Sequence, residues 1–132
     1  MNPPDTLHFG IGGFEGLCWN VELKADALHV RSWRAGNESG SETVLTPSPE
    51  AWSKFWQAVD AANVWRWKAD YTDNDVLDGT QWGLELAHAG RRVSCEGSNA
   101  YPDHNAPGYD ESPSFMQLLS ALRTLTGVKA IG

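Results

Sequence analysis

Two short segments, Asp78-Gly79-Thr80-Gln81-Trp82 and Gly97-Ser98-Asn99-Ala100-Tyr101-Pro102, decide how this chain is read. Asp-Gly is a turn former that leads into a strand begun by Trp82, and the second segment leaves a strand through a run of turn residues. Between them, Ala89-Gly90 is the best two-residue hairpin turn. That turn pairs His88 with Arg91, Leu86 with Val93, Leu84 with Cys95 and Trp82 with Gly97. In this register Trp82, Leu84, Leu86, Val93 and Cys95 share one face, the consistency that strand alternation demands. Trp82 then lies over Gly97, where an indole shields a strand position that has no side chain.

Working outward, 6–14 and 17–24 alternate as strands joined through Glu15-Gly16. Gly10, Gly12 and Gly13 mark a bulge or a close approach in the first of them. In the second, Leu17, Trp19, Val21 and Leu23 share one face, and Cys18, Asn20 and Glu22 the other. A third strand is expected over 27–33, a polar loop over 35–41 and a short strand near 42–46. Ser48 is a helix N-cap, Pro49 suits the first helical position and Glu50 complements the helix dipole. Trp52, Phe55, Trp56 and Val59 make the apolar stripe of that helix, and Asn63 stops it. Ser112-Pro113 opens a second helix with Phe115, Leu118, Leu119, Leu122 and Leu125 on one stripe, closed by Gly127. Between the helices, 64–68 reads as a strand with Trp65 and Trp67 on one side and Arg66 and Lys68 on the other. The acidic stretch 70–78 reads as a turn segment.

The order β-β-β-(β)-α-β-β-β-α, with hairpin-length connections, predicts an α+β fold over 1–132 as one domain. A largely antiparallel sheet carries both amphipathic helices. The length of 132 residues, with seven Trp, four Phe and three Tyr, is enough for a substantial core. Ten Lys and Arg against seventeen Asp and Glu leave a net charge of −7, which argues against a nucleic-acid partner, since binding there rests on neutralising phosphates. No apolar run approaches the roughly 18 residues of a membrane span. The opening Met1-Asn2-Pro3-Pro4-Asp5 lacks the basic and apolar regions of a secretory signal, so the cytoplasm is the expected location. There, Cys18 and Cys95 stay reduced, and strand alternation sets them on different faces.

Three kinds of chemistry have candidate side chains. Hydrolase-like catalysis would draw on His104 with Asp103, Asp110 or Ser98, yet Gly97-Ser98-Asn99 is not a nucleophile elbow, and Asn99 is explained by turn formation. Calcium would need Asp73, Asp75 and Asp78, but an EF-hand loop begun at Asp73 has Leu77 at position five and its glycine one place late. His8, His29, His88 and His104 lack the i, i+4 spacing of a helical zinc site, and His88 is more simply an exposed residue flanking the hairpin turn. No cofactor is expected. The surplus aromatics point to contact with another protein, with Trp65, Trp67, Asn99, Tyr101 and Tyr109 as candidate binding residues.

Trp65-x-Trp67, Tyr71, the Asp78–Trp82 motif and the 97–102 motif, followed by the Phe115 helix, resemble a family of small uncharacterised bacterial domains. That resemblance covers the C-terminal half and implies a fold, with no activity attached. Gly12-Gly13-Phe14-Glu15-Gly16 resembles the Gly-Gly-Phe-Ala-Gly opening of emfourin-type protein inhibitors of metalloproteases. Glu15 stands in place of the alanine and the middle of this chain is longer, so no residue roles carry over. The function expected is a non-catalytic protein-binding role of the inhibitor or immunity kind, with the hydrolase and the calcium module as alternatives.

Overall fold

The computed structural model describes residues 5–13, 17–24, 27–34, 37–72, 80–98, 113–128 and 131. Seven strands form one sheet: β1 (Thr6–Gly13), β2 (Leu17–Lys24), β3 (Ala27–Arg34), β4 (Asn37–Leu45), β5 (Asp70–Thr72), β6 (Thr80–His88) and β7 (Arg91–Ser98). Their spatial order is β4-β3-β2-β1-β6-β7-β5. Helices α1 (Pro49–Ala61) and α2 (Pro113–Thr126) complete an α+β architecture. All neighbouring strands are antiparallel except β5, which runs parallel to β7, so the sheet is mixed.

The hairpin forms in the register set by its turn: His88 faces Arg91, Leu86 faces Val93, Leu84 faces Cys95 and Trp82 faces Gly97. Ala89 and Gly90 adopt φ values of 52° and 82°, the pair of positive angles that a two-residue turn of the right twist requires. β1 lies in the middle of the sheet, where Phe9 pairs with Val21 on one side and Leu84 on the other. One face of the sheet therefore carries Leu7, Phe9, Ile11, Val21, Leu28, Val30, Trp82, Leu84, Leu86, Val93 and Cys95, all buried.

Both helices cover that face. Phe115 of α2 meets Phe9 and Trp82 at ring-centroid distances of 6.2 and 4.8 Å, while Trp56 of α1 lies on His88 at the end of β6. α1 starts as its punctuation demands, with the Ala51 N–H donating to the Ser48 side-chain oxygen at 3.1 Å. It stops where Asn63 turns left-handed at φ 56°. α2 ends with Gly127 at φ 73°, its N–H donating to the Arg123 carbonyl at 2.9 Å. Ser112, its expected cap, lies outside the described residues.

Three expectations need correction. Residues 64–68 are not a strand: Val64–Arg66 is a 3-10 helix, with the Arg66 and Trp67 N–H groups bonded to the carbonyls of Asn63 and Val64. In a 3-10 turn, positions i and i+3 eclipse, so Val64 and Trp67 are buried together while Trp65 points elsewhere. The fifth strand is instead Asp70–Thr72, inside the segment expected to be a turn. Finally, 37–41 belongs to β4 and not to a loop, with a register irregularity between Ser32 and Arg34. There the backbones approach so closely that a methyl group on Gly40 would collide with the Ser32 carbonyl. The ladder of β1 with β6 runs unbroken from Thr6 to Gly13, so no bulge interrupts it, and the close approach expected at the β1 glycines is found at Gly12, where a methyl group would meet Cys18 Sγ at 2.6 Å.

Candidate functional site

Four separate pieces of chain converge where α1 meets the hairpin turn. The stripe of α1 delivers Trp56, and the 3-10 turn folds Trp65 back so that the two indoles stack at 6.1 Å with 21° between planes. β6 ends with His88 on the helix-covered face, its ring 3.9 Å from that of Trp56 and nearly parallel to it. Arg91, opposite His88 across the turn, holds its guanidinium 4.7 Å over the Trp65 ring. Asp60, one turn after Trp56, completes the corner. Its Oδ1 accepts from Trp65 Nε1 at 3.1 Å and from Arg91 Nη1 at 3.4 Å.

Arg91 and Asp60 are about half exposed, at 49% and 55% of their side chains, and Trp65 is half-buried. The corner is a pre-set surface of one indole, one guanidinium and one carboxylate. Its cation–π contact is worth about 0.5–1 kcal/mol at such exposure, and its ion pair about 0–1. These magnitudes are too small for the corner to be a main support of the fold.

Trp67, the other tryptophan of the expected binding pair, lies in the core at 8% exposure. Its ring stacks with Phe115 and meets Trp82 edge-on, and its Nε1–H donates to the Ala62 carbonyl at 3.3 Å. Ser98 closes β7, half-buried, beside a depression on the sheet face away from the helices. Asp103, His104, Asp110, Asn99, Tyr101 and Tyr109 lie outside the described residues, as do Asp73, Asp75 and Asp78. Among the described residues, no three His, Cys, Asp or Glu side chains stand close enough to share a metal ion. His8 bonds Asn20 at 2.6 Å, and His29 faces Glu42 at 3.7 Å. Neither the Asp60 nor the Arg91 contribution was visible in sequence, because 31 residues separate them. His88, read as a solvated turn neighbour, is half-buried because its parity along β6 matches that of Leu86 and Leu84.

Both cysteines are free thiols, Cys95 buried and Cys18 half-buried. Burial pushes the Cys95 thiol up from 9.0 to about 12, which removes it as a nucleophile at neutral pH. This has a consequence for stability. The unfolded thiol ionises near 9 while the folded one stays protonated to about 12, so over that window only the unfolded chain loses the proton. Stability attributable to Cys95 is therefore intact below pH 9 and falls as pH rises, by at most about 1.4 kcal/mol per pH unit. Denaturant melts of the wild type and Cys95→Ala between pH 8 and 11 should show a steeper alkaline decline for the wild type.

The sequence matches no family model and no curated protein. Among the described residues, no helix is long and apolar enough to cross a membrane.

Proposed function

We propose that this chain is a non-catalytic protein-binding domain of the inhibitor or immunity kind, and that Trp65 and Arg91 anchor its partner. The observation that carries this reading is the way one carboxylate, Asp60, holds a half-buried indole and a half-exposed guanidinium in a fixed mutual arrangement. Trp and Arg are the residues that most often dominate binding energy at protein interfaces. Holding them in place before association lowers the ordering cost that binding otherwise incurs. The net charge of −7 favours a basic partner surface and speeds encounter with it.

The test uses immobilised wild-type protein beside a Trp65→Ala/Arg91→Ala double variant, both exposed to extract of the cells that produce the protein. The wild type should retain a partner in near-stoichiometric amount, and the double variant should lose most of it. Both should fold, with the double variant melting several degrees lower because Trp65 also stacks on Trp56 and packs against the core, so retention is compared well below both melting temperatures. Equal retention by the two proteins, or no stoichiometric partner for the wild type, counts against the proposal.

A further inference from the structure

The sheet face turned away from the helices contains a patch without side chains. Gly10 of β1 and Gly83 of β6 are direct cross-strand partners, and their row continues to Asn20 on β2 and Glu96 on β7. Neither glycine has a positive φ, unlike Gly90 and Gly127. A methyl group at Gly10 would meet nothing nearer than 3.8 Å, and one at Gly83 nothing nearer than 3.9 Å. These are ordinary contacts. Gly12 and Gly40 differ, since a methyl there would meet Cys18 Sγ at 2.6 Å or collide with the Ser32 backbone. Gly10 and Gly83, strand glycines that neither packing nor a positive φ requires, thus lie side by side. Each costs about 0.5–1 kcal/mol relative to alanine inside a strand. Strand glycines that packing does not explain mark places where another group comes close to the backbone.

The patch is the floor of an open depression of about 410 Å³, rimmed by Gln81, Glu96 and Ser98. Carboxylates border it. Glu96 is the cross-strand neighbour of Gly83, and Glu85 lies two residues along β6 on the same face. Both are exposed, and among the described residues neither carboxylate forms an ion pair or hydrogen bond. Asp70 on β5 is the direct neighbour of Glu96 across the ladder, and Glu22, farther off on β2, has Lys24 at 3.3 Å.

We infer that this depression receives an arginine side chain from a protein partner. A guanidinium is planar and weakly hydrated on its faces, so it can lie flat on bare peptide groups while its edge reaches a carboxylate. A Lys ammonium matches the charge but gains nothing from a flat floor. The side-chain amide of Gln81 and the hydroxyl of Ser98 supply further acceptors at the rim. The inference deepens the protein-binding reading, on which it rests, by giving the partner's contact surface a chemistry at a second place on this chain.

The test is an amide-resolved NMR titration with N-acetyl-arginine N-methylamide, and in parallel with the lysine analogue. The arginine probe should give saturable shifts centred on Gly10, Gly83 and Glu96, with lysine at least about fivefold weaker. Gly83→Val should weaken the arginine response about tenfold or more by covering the floor, while its melting temperature stays at or above that of the wild type. Glu96→Gln should also weaken it, and Trp65→Ala should leave it unchanged. Shifts that fail to saturate, an equal response to lysine, or an unaltered response in Gly83→Val would each overturn the inference. Because the probe requires no partner, its failure can be told apart from a failure of the capture experiment.

Discussion

Phe115→Ala is expected to remove about 3–5 kcal/mol of unfolding free energy. That is a large part of the roughly 5–15 kcal/mol that holds a domain folded. Phe115 has no solvent exposure, and its ring meets those of Trp82, Phe9 and Trp67 at 4.8, 6.2 and 6.3 Å. It is the point where α2, β1, β6 and the turn after α1 all meet. Truncation leaves a cavity walled by rigid rings, which close poorly around a void. Urea melts should show the loss, with Met116→Ala as the control. Met116 is 55% exposed on the same helix, and its truncation should cost no more than about 0.5 kcal/mol.

Gly97→Val is expected to cost about 1–3 kcal/mol, and the reason lies in ring geometry. Gly97 on β7 is flanked by Trp82 on β6 and Tyr71 on β5, each its direct neighbour across the ladder. Residues two strands apart are separated by about 9.6 Å of backbone. The Tyr71 and Trp82 rings nevertheless stack at 5.9 Å with 29° between planes. They close over Gly97 because nothing projects from it. A valine there has to enter between the rings or push them apart. β5 is only three residues long, so separating the rings should loosen its pairing with β7. Loss of stability in melts, together with faster amide exchange at Tyr71, is the expected outcome. A valine variant as stable as the wild type would contradict the ring arrangement.

The hairpin was legible in sequence because two independent signals agree on it. Ala89-Gly90 sets a register, and alternation places Trp82, Leu84, Leu86, Val93 and Cys95 on one face in that same register. α1 was legible from Ser48-Pro49-Glu50 and its stripe. The 64–68 segment misled because Trp-x-Trp suggests period two, whereas Val64 and Trp67 are buried with period three. The second half of β4 was legible as a short strand near 42–46, but 37–41 escaped because Asn37-Glu38-Ser39-Gly40-Ser41 reads by composition as a loop. The parallel pairing of Asp70–Thr72 with β7 has no local signature at all.

The candidate site was legible only in part. Trp65 was singled out in sequence together with Trp67, and nothing there told the half-buried one from the core one. Asp60 and Arg91 have no such mark, because their roles arise only when the hairpin turn docks on α1. Gly10 attracts notice in sequence as a weak point of its strand, whereas Gly83 carries no such mark within β6. Their shared position on the open face follows from β1 pairing with β6, a contact between strands about seventy residues apart that local pattern does not foretell.

The dissociation constant of the captured partner, measured by calorimetry for the wild type and for Trp65→Ala, tests the central claim most directly. Loss of a dominant anchor of about 2 kcal/mol or more predicts at least about thirtyfold weaker binding by the variant, at an unchanged 1:1 stoichiometry. Binding within twofold of the wild type would show that the partner does not engage this corner, and would contradict the account.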